Sequence, residues 1–433
     1  MTVPILGKDM RDLLTRDTRF RNVWLGETAA NFGMQLTTFL LPLVAVTALD
    51  SSGTGVGMIS VGQFLPVVAF SLIAGLVVDR HPPRRTLVAG TVARGAAVAA
   101  IAALYATGSL TLVPLVLLTA VVGTANVFYE VAYQSTIPKI VPTDAITAAN
   151  GLHQSTYSVS QLAGSSAAGF LLGRFGLSAT LAVTTALFVG AAISGFMVRG
   201  VQAPGVAVAG RSPLRSIGDG LRYTWALRPI RDLCVQAGVA NLHMQAFLTA
   251  FLLFAVRDAG LSGTMVGVVV GIGSVGSLIG SLCASRLADR FAVGTLLCAG
   301  VVLAAVGLLG EASASRAGSG FAVSAAVAFA VQGFGVALFN VFAVSLRQAI
   351  PVEHQLGAVT AGYRLVALGT LPLGGLVGGL LADAVTAAGA VWLISGSYLL
   401  FSCLLMFSPL RTVRTVEEAK NLGEPAAHAL DVR

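Results

Sequence analysis

The chain has 433 residues, 55% of them hydrophobic and only 11% charged, with 50 glycines and a net charge of +8. A soluble domain carries about 25% charged residues and a single soluble core stops growing near roughly 250–300 residues, so lipid must be the solvent for most of this protein. Disorder, collagen and disulfide scaffolds fail on the same composition, and the basic residues lie in short clusters between apolar stretches rather than beside aromatics, which excludes nucleic acid as a partner.

A bilayer core about 30 Å thick needs about 20 apolar residues per helix. Twelve stretches meet that length, near 22–48, 55–78, 86–106, 110–134, 148–172, 178–198, 231–255, 262–285, 292–312, 319–345, 355–382 and 388–409. The segment before them, 1–21, has mixed charges, and the apolar run from Val23 to Leu49 is too long for a signal-peptide core, so it is expected to remain as a span. The expected fold is an all-α membrane protein with twelve transmembrane helices in two pseudo-symmetric six-helix bundles, 22–198 and 231–409. Between them, 199–230 forms a linker in which Ser212 caps a helix starting at Pro213. Leu214, Ile217, Leu221 and Trp225 give that helix an apolar face suited to the membrane surface. The tail, 410–433, is polar and expected to be mobile.

An even number of spans puts both termini on one side. Of the 27 Lys and Arg residues, only Arg174, Arg257 and Arg316 fall on the opposite side, and Arg94 and Arg364 fall within spans. That bias places both termini in the cytoplasm of a cell (inner or plasma) membrane. Cys234, Cys283, Cys298 and Cys403 lie in apolar segments without metal-ligand spacing and read as small buried hydrophobes.

The two halves repeat. Ala30-Asn31-Phe32-Gly33-Met34-Gln35 and Ala240-Asn241-Leu242-His243-Met244-Gln245 agree at four positions, 210 residues apart. The same offset carries Asp79-Arg80 onto Asp289-Arg290. A drifting offset carries Asn126-Val127-Phe128 onto Asn340-Val341-Phe342. Parallel repeats of this kind build transporters whose site lies between the halves.

Glu27, Asn31, Gln35 and Thr38 share one face of the first span, and Asn241, Gln245 and Thr249 repeat the stripe in the seventh. With Asn126 and Asn340 they are candidates to line a substrate cavity; the alternative is interhelical hydrogen bonding. Glu27 has no acidic counterpart, since Ala237 occupies the matching position. A carboxylate at a helix centre in lipid costs about 2.5–3.5 kcal/mol, so Glu27 suits a group that loads and releases a proton. The alternatives are a static ion pair with Arg94 and a carboxylate near the interface. Glu130 reads as a gate partner for Arg84 or Arg80. Arg364 could attract an anion, pair with an acid or snorkel, and His153 and His243 read as structural hydrogen-bonders.

Gly75-x-x-x-Asp79-Arg80-His81-Pro82-Pro83-Arg84-Arg85 resembles the signature loop of the major facilitator superfamily, with Pro82 at the position of the usual glycine. Ser285-x-x-x-Asp289-Arg290 is a weaker second copy. The resemblance covers nearly the whole chain and implies a cytoplasmic gate formed by Gly75, Asp79, Arg80, Arg84, Arg85, Glu130, Asp289 and Arg290. Val131-Ala132-Tyr133-Gln134-Ser135, Ile137-Pro138, Ala149-Asn150-Gly151 and Leu346-Arg347-Gln348 with Pro351 are similar to the twelve-span drug/proton antiporters of the macrolide- and siderophore-exporter branch. In the span-five antiporter motif Gly151, Gly164 and Gly169 fit, whereas Ser160, Ser165 and Ala168 depart. The branch implies efflux of a small apolar or amphipathic compound energised by proton entry; an importer, a uniporter or a membrane sensor is the alternative. Small-molecule substrate, protons and lipid are the expected partners, and a monomer the expected state.

Gly271-x-Gly273-x-x-Gly276 matches a dinucleotide fingerprint but lacks the preceding strand, so it reads as helix packing. No Walker A, HExxH or GxSxG run occurs. No catalytic residue, no metal site and no cofactor are expected, the energy coming from a proton gradient.

Overall fold

The computed structural model describes residues 13–15, 17–142, 145–197, 222, 224–314, 320–351 and 356–419. They form long helices: α1 Thr18–Thr47, α2 Gly53–Arg80, α3 Pro83–Ala106, α4 Leu112–Ile140, α5 Ile146–Met197, α6 Arg228–Leu253, α7 Gly263–Ala288, α8 Val293–Ala314, α9 Phe321–Ala349, α10 Leu356–Ala384 and α11 Ala387–Ser402. A backbone in lipid must satisfy its own N–H and C=O groups, which is why helices dominate. Helix starts are closed locally. The Asp17 side chain accepts from the Arg19 and Phe20 amides, Ser262 from Met265 and Thr386 from Gly389, filling donors that the first turn leaves open.

Eleven helical stretches among the described residues are long and apolar enough to cross a membrane. The difference from twelve lies in α5, where the expected fifth and sixth spans form one element broken at Gly176. Its φ of +77° is a conformation that glycine adopts without penalty. Within α5 the stretch counted as long and apolar enough, Ser166–Met197, runs across that break. Large apolar side chains also face outward, including Phe407 at 78%, Leu400 at 75% and Val323 at 71% exposure. Water would not tolerate so many; acyl chains do.

The chain divides into two compact units, Met1–Leu49 with Gly62–Ala209, and Asp50–Val61 with Gly210–Arg433. In the first, α1 packs on α5, and α3 packs on α4 and α5. Gly62 and Gly123 let α2 and α4 approach closely, since a Cβ on Gly123 would meet the Gln63 carbonyl at 2.5 Å. In the second, α6 packs on α10 and α11, α8 on α9 and α11, and α7 on α9. The pairing of the first unit therefore recurs in the second. Apolar packing fills both: Phe20, Val78, Leu87, Tyr133, Ile137 and Leu152 in one, and a ring cluster of Phe247, Phe251, Phe321 and Phe329 in the other. The fingerprint-like glycines pack helices. A Cβ on Gly276 would lie 1.9 Å from the Ala330 carbonyl oxygen, and one on Gly333 would lie 1.9 Å from that of Gly273.

Residues 50–61 are fastened to the second unit. The Asp383 carboxylate accepts from the Gly53 amide at 2.6 Å, the Thr54 amide at 2.7 Å and the Thr54 hydroxyl at 2.6 Å, which caps α2. The Arg257 guanidinium donates to Asp50 Oδ1 and the Ser51 carbonyl, both at 2.7 Å. The expected mobile tail begins as a docked one. Val293 and Gly294 amides donate to the Arg414 and Val413 carbonyls at 3.1 and 2.9 Å, and Leu410 and Val413 are buried. The first amides of α8 supply the donors that hold it. The expected linker helix from Pro213 to Trp225 lies mostly outside the described residues, as do the chain ends.

Candidate functional site

A buried polar cluster occupies the first unit where α1, α3, α4 and α5 meet. Glu27 on α1 is 3% exposed and Arg94 on α3 is 1% exposed. Glu27 Oε1 accepts from the Asn31 amide at 3.0 Å, one helical turn on, and lies 3.4 Å from His153 Nδ1 on α5. Its other oxygen has no hydrogen-bond partner by geometry among the described residues, with Tyr129 of α4 close by. The Tyr133 ring lies 4.8 Å from that of His153, and the Tyr133 hydroxyl has no hydrogen-bond partner among the described residues. Nearby, the Trp24 indole donates to the Thr156 hydroxyl at 3.0 Å, a second tie between α1 and α5.

Arg94 does not form the ion pair with Glu27 that was one expectation. Its Nη1 donates to Asn126 Oδ1 at 2.9 Å. The guanidinium lies over the Tyr129 ring at 4.0 Å and the Phe188 ring at 5.0 Å. The Asn126 amide then donates to Glu130 Oε1 at 2.9 Å. A planar cation with five donors suits such a lined-up set of rings and amide oxygen. The buried cation is thus occupied by Asn126 and two rings, and the buried carboxyl by Asn31 and His153.

Of the remaining stripe residues, Thr38 accepts from the Gln63 amide at 2.7 Å, a bond from α2 to α1. Gln35 lies against Gly164 of α5, where an added Cβ would come within 2.4 Å of the Gln35 Cβ. In the second unit, the Asn241 amide donates to the Ala367 carbonyl of α10 at 2.6 Å and the Gln245 amide to the Ser60 hydroxyl at 2.9 Å. The Thr249 hydroxyl donates to the Gln245 carbonyl. Asn241 and Gln245 therefore join helices, whereas Asn340 is exposed.

Among the described residues, the bonds seen for Arg84 and Glu130 are not the expected gate pairing. Arg84 Nη2 donates to the Phe196 carbonyl at 2.7 Å, and Glu130 holds Asn126 instead. Glu130 lies well inside α4, nearly three turns before its end at Ile140. Gly75 borders open space, Arg80, Arg85, Asp289 and Arg290 are exposed, and the Asp79 side chain lies outside the described residues. His153, expected only as a structural hydrogen-bonder, is the group that faces Glu27. His243 fits that role: its Nδ1 bonds the Val239 carbonyl at 2.8 Å, and Nε2 lies 3.2 Å from the Ser397 hydroxyl. Glu311 on α8 went unnoticed in the sequence. It is fully buried, and neither carboxyl oxygen is hydrogen-bonded among the described residues. No group of three or more His, Cys, Asp or Glu that could hold a metal occurs among the described residues.

The chain has relatives. The family profile described as transmembrane secretion effector matches residues 14–432. Macrolide efflux protein A of Streptococcus pyogenes is 24% identical over 409 residues, covering 90% of this chain and 95% of its own. The multidrug efflux pump Tap of Mycolicibacterium fortuitum is 25% identical over 376 residues, covering 84% and 88%. Among solved structures, a bacterial homologue of the iron transporter ferroportin in its inward-facing state matches with a TM-score of 0.72 at 16% identity, over 90% of this chain and 98% of its own. The nucleoside transporter NupG matches with a TM-score of 0.67 at 12% identity, over 90% and 98%. These two share the fold. With a profile match from residue 14 to residue 432 on a multi-pass array of membrane-crossing helices, the chain belongs to the transmembrane secretion effector family of the major facilitator superfamily.

Proposed function

We propose that this protein is a proton-coupled exporter of a small apolar or amphipathic organic compound, working by alternating access in a cell membrane. In this reading twelve helices form two six-helix bundles, both termini face the cytoplasm, and a monomer suffices. The proton gradient is the energy source, with no cofactor. The observation that carries the proposal is Glu27: a carboxyl 3% exposed inside a membrane-crossing helix, bonded to a neutral amide and facing an imidazole. Such an acid is where a membrane protein stores a proton. The likeness to macrolide and multidrug efflux proteins supports the outward direction and the class of cargo.

The test is flux in proteoliposomes carrying an imposed pH gradient, with a macrolide and a lipophilic cationic dye as cargo. Export that follows the gradient in wild type and is lost in Glu27→Gln supports the proposal. Gradient-driven flux unchanged in that variant removes Glu27 from the coupling. Accumulation in the opposite direction would assign the runner-up, a proton-coupled importer. The likeness to a nucleoside transporter makes nucleosides the cargo to try first in that arm.

A further inference from the structure

A groove of about 740 Å³ opens on the first unit between α2, α3 and α4, and Val77, His81, Arg85, Ala89, Val121 and Phe128 are among the residues lining it. Along α4 it runs from Leu117 to Phe128, about 16 Å at the helical rise. That is the depth of one leaflet of a hydrocarbon core about 30 Å thick. Its walls are apolar or small, and Leu117 and Val121 are 62% and 45% exposed. Only one end is charged. Arg85 is exposed, and its guanidinium has no partner among the described residues, whereas its neighbour Arg84 is tied to the Phe196 carbonyl. The His81 Nδ1 is engaged by the Val77 carbonyl at 2.9 Å, which leaves Nε2 as the free ring nitrogen. Between the two residues α3 begins at Pro83 with no side-chain cap, so its positive end adds to the same spot.

A comparison lies within the same molecule. A groove of about 750 Å³ on the second unit, lined by residues such as Met265, Ile272, Leu303, Val323 and Phe334, has no basic residue on its lining. Both grooves offer acyl chains a place; one alone offers a place for a phosphate.

We propose that the groove on α2, α3 and α4 is a binding site for one acidic phospholipid, with the phosphate on Arg85 and His81 and an acyl chain along α3 and α4. An apolar slot of leaflet depth with a basic rim has the two halves of such a molecule in register. The inference is independent of what the protein transports.

The experiment is native mass spectrometry of the full chain in detergent, equilibrated with equal amounts of phosphatidylglycerol and phosphatidylcholine. Wild type is expected to retain one phosphatidylglycerol in preference to phosphatidylcholine. Arg85→Ala is expected to weaken that retention roughly tenfold or more, the effect of losing one charge-assisted hydrogen bond. Ala89→Trp, which fills an exposed position on the groove wall, is expected to expel the lipid with the charge intact. Arg286→Ala, an exposed arginine on α7 away from the groove, is expected to retain it. Equal retention of the two lipids by wild type overturns the proposal, as does undiminished retention by both groove variants. Complete displacement by glycerol phosphate at the same concentration as the lipid also overturns it, by assigning the rim to a soluble phosphate.

Discussion

Glu27 shares one oxygen between Asn31 and His153, with Tyr129 also close to the carboxyl. A glutamine in its place keeps the size and the bond to Asn31 but cannot release a proton. Glu27→Gln is therefore expected to abolish pH-gradient-driven flux while purified protein melts within a few degrees of wild type. Arg94 makes the opposite demand on its surroundings. Replacing it with methionine removes the cation from the Tyr129 and Phe188 rings and strands the Asn126 oxygen, a loss of about 2–4 kcal/mol. The expected sign is a lower melting temperature in differential scanning fluorimetry. The sequence showed Glu27 because an acid in an apolar run of that length stands out. It did not show His153 as a partner, because nothing in local spacing links α1 to α5. Arg94 was visible as a buried charge, yet its choice of Asn126 and two rings over Glu27 depends on packing that only the folded unit defines.

At the scale of helices, close approach is carried by glycine. Gly333→Val would put a Cβ 1.9 Å from the Gly273 carbonyl and crowd Ser277, whose hydroxyl donates to the Gly333 carbonyl at 3.0 Å. Forced repacking of α7 against α9 is expected to cost about 1–3 kcal/mol or more, read as a drop in melting temperature or loss of the monodisperse peak in size exclusion. Asp383→Ala removes the cap of α2, a loss of about 0.5–2 kcal/mol. Faster hydrogen exchange at the Gly53 and Thr54 amides, with the far end of α2 unchanged, is the expected outcome. Helix positions were legible from apolar run length, and the glycine fingerprint in α7 was legible as packing. Where the structure departs from that reading, a glycine break and a cap explain the difference. The break at Gly176 inside α5 follows from one positive φ, and a long-range cap from Asp383 to Thr54 has no sequence signature. The docked start of the tail was missed for the same reason: its partners are backbone amides of α8, which any residue supplies.

For the whole molecule, the recurrence of α1, α3 and α4 pairings in α6, α8 and α9 turns a few short matched words in the sequence into a structural repeat. Function at this scale is expected to show as flux that rises with the imposed pH gradient and vanishes when a protonophore collapses it, measured in the same vesicles. The division of the chain cuts through one helix: α2 gives residues up to Val61 to one unit and those from Gly62 to the other. Pro66 lies just beyond that cut. Having no N–H, it leaves the Gly62 carbonyl without its partner one turn later, so the rod lacks a rung where its allegiance changes. Any cycle that swings one unit against the other must flex this rod, and the missing rung is where flexing is cheapest. Restoring it with Pro66→Ala is expected to stiffen the spring and slow turnover while leaving cargo affinity as it was.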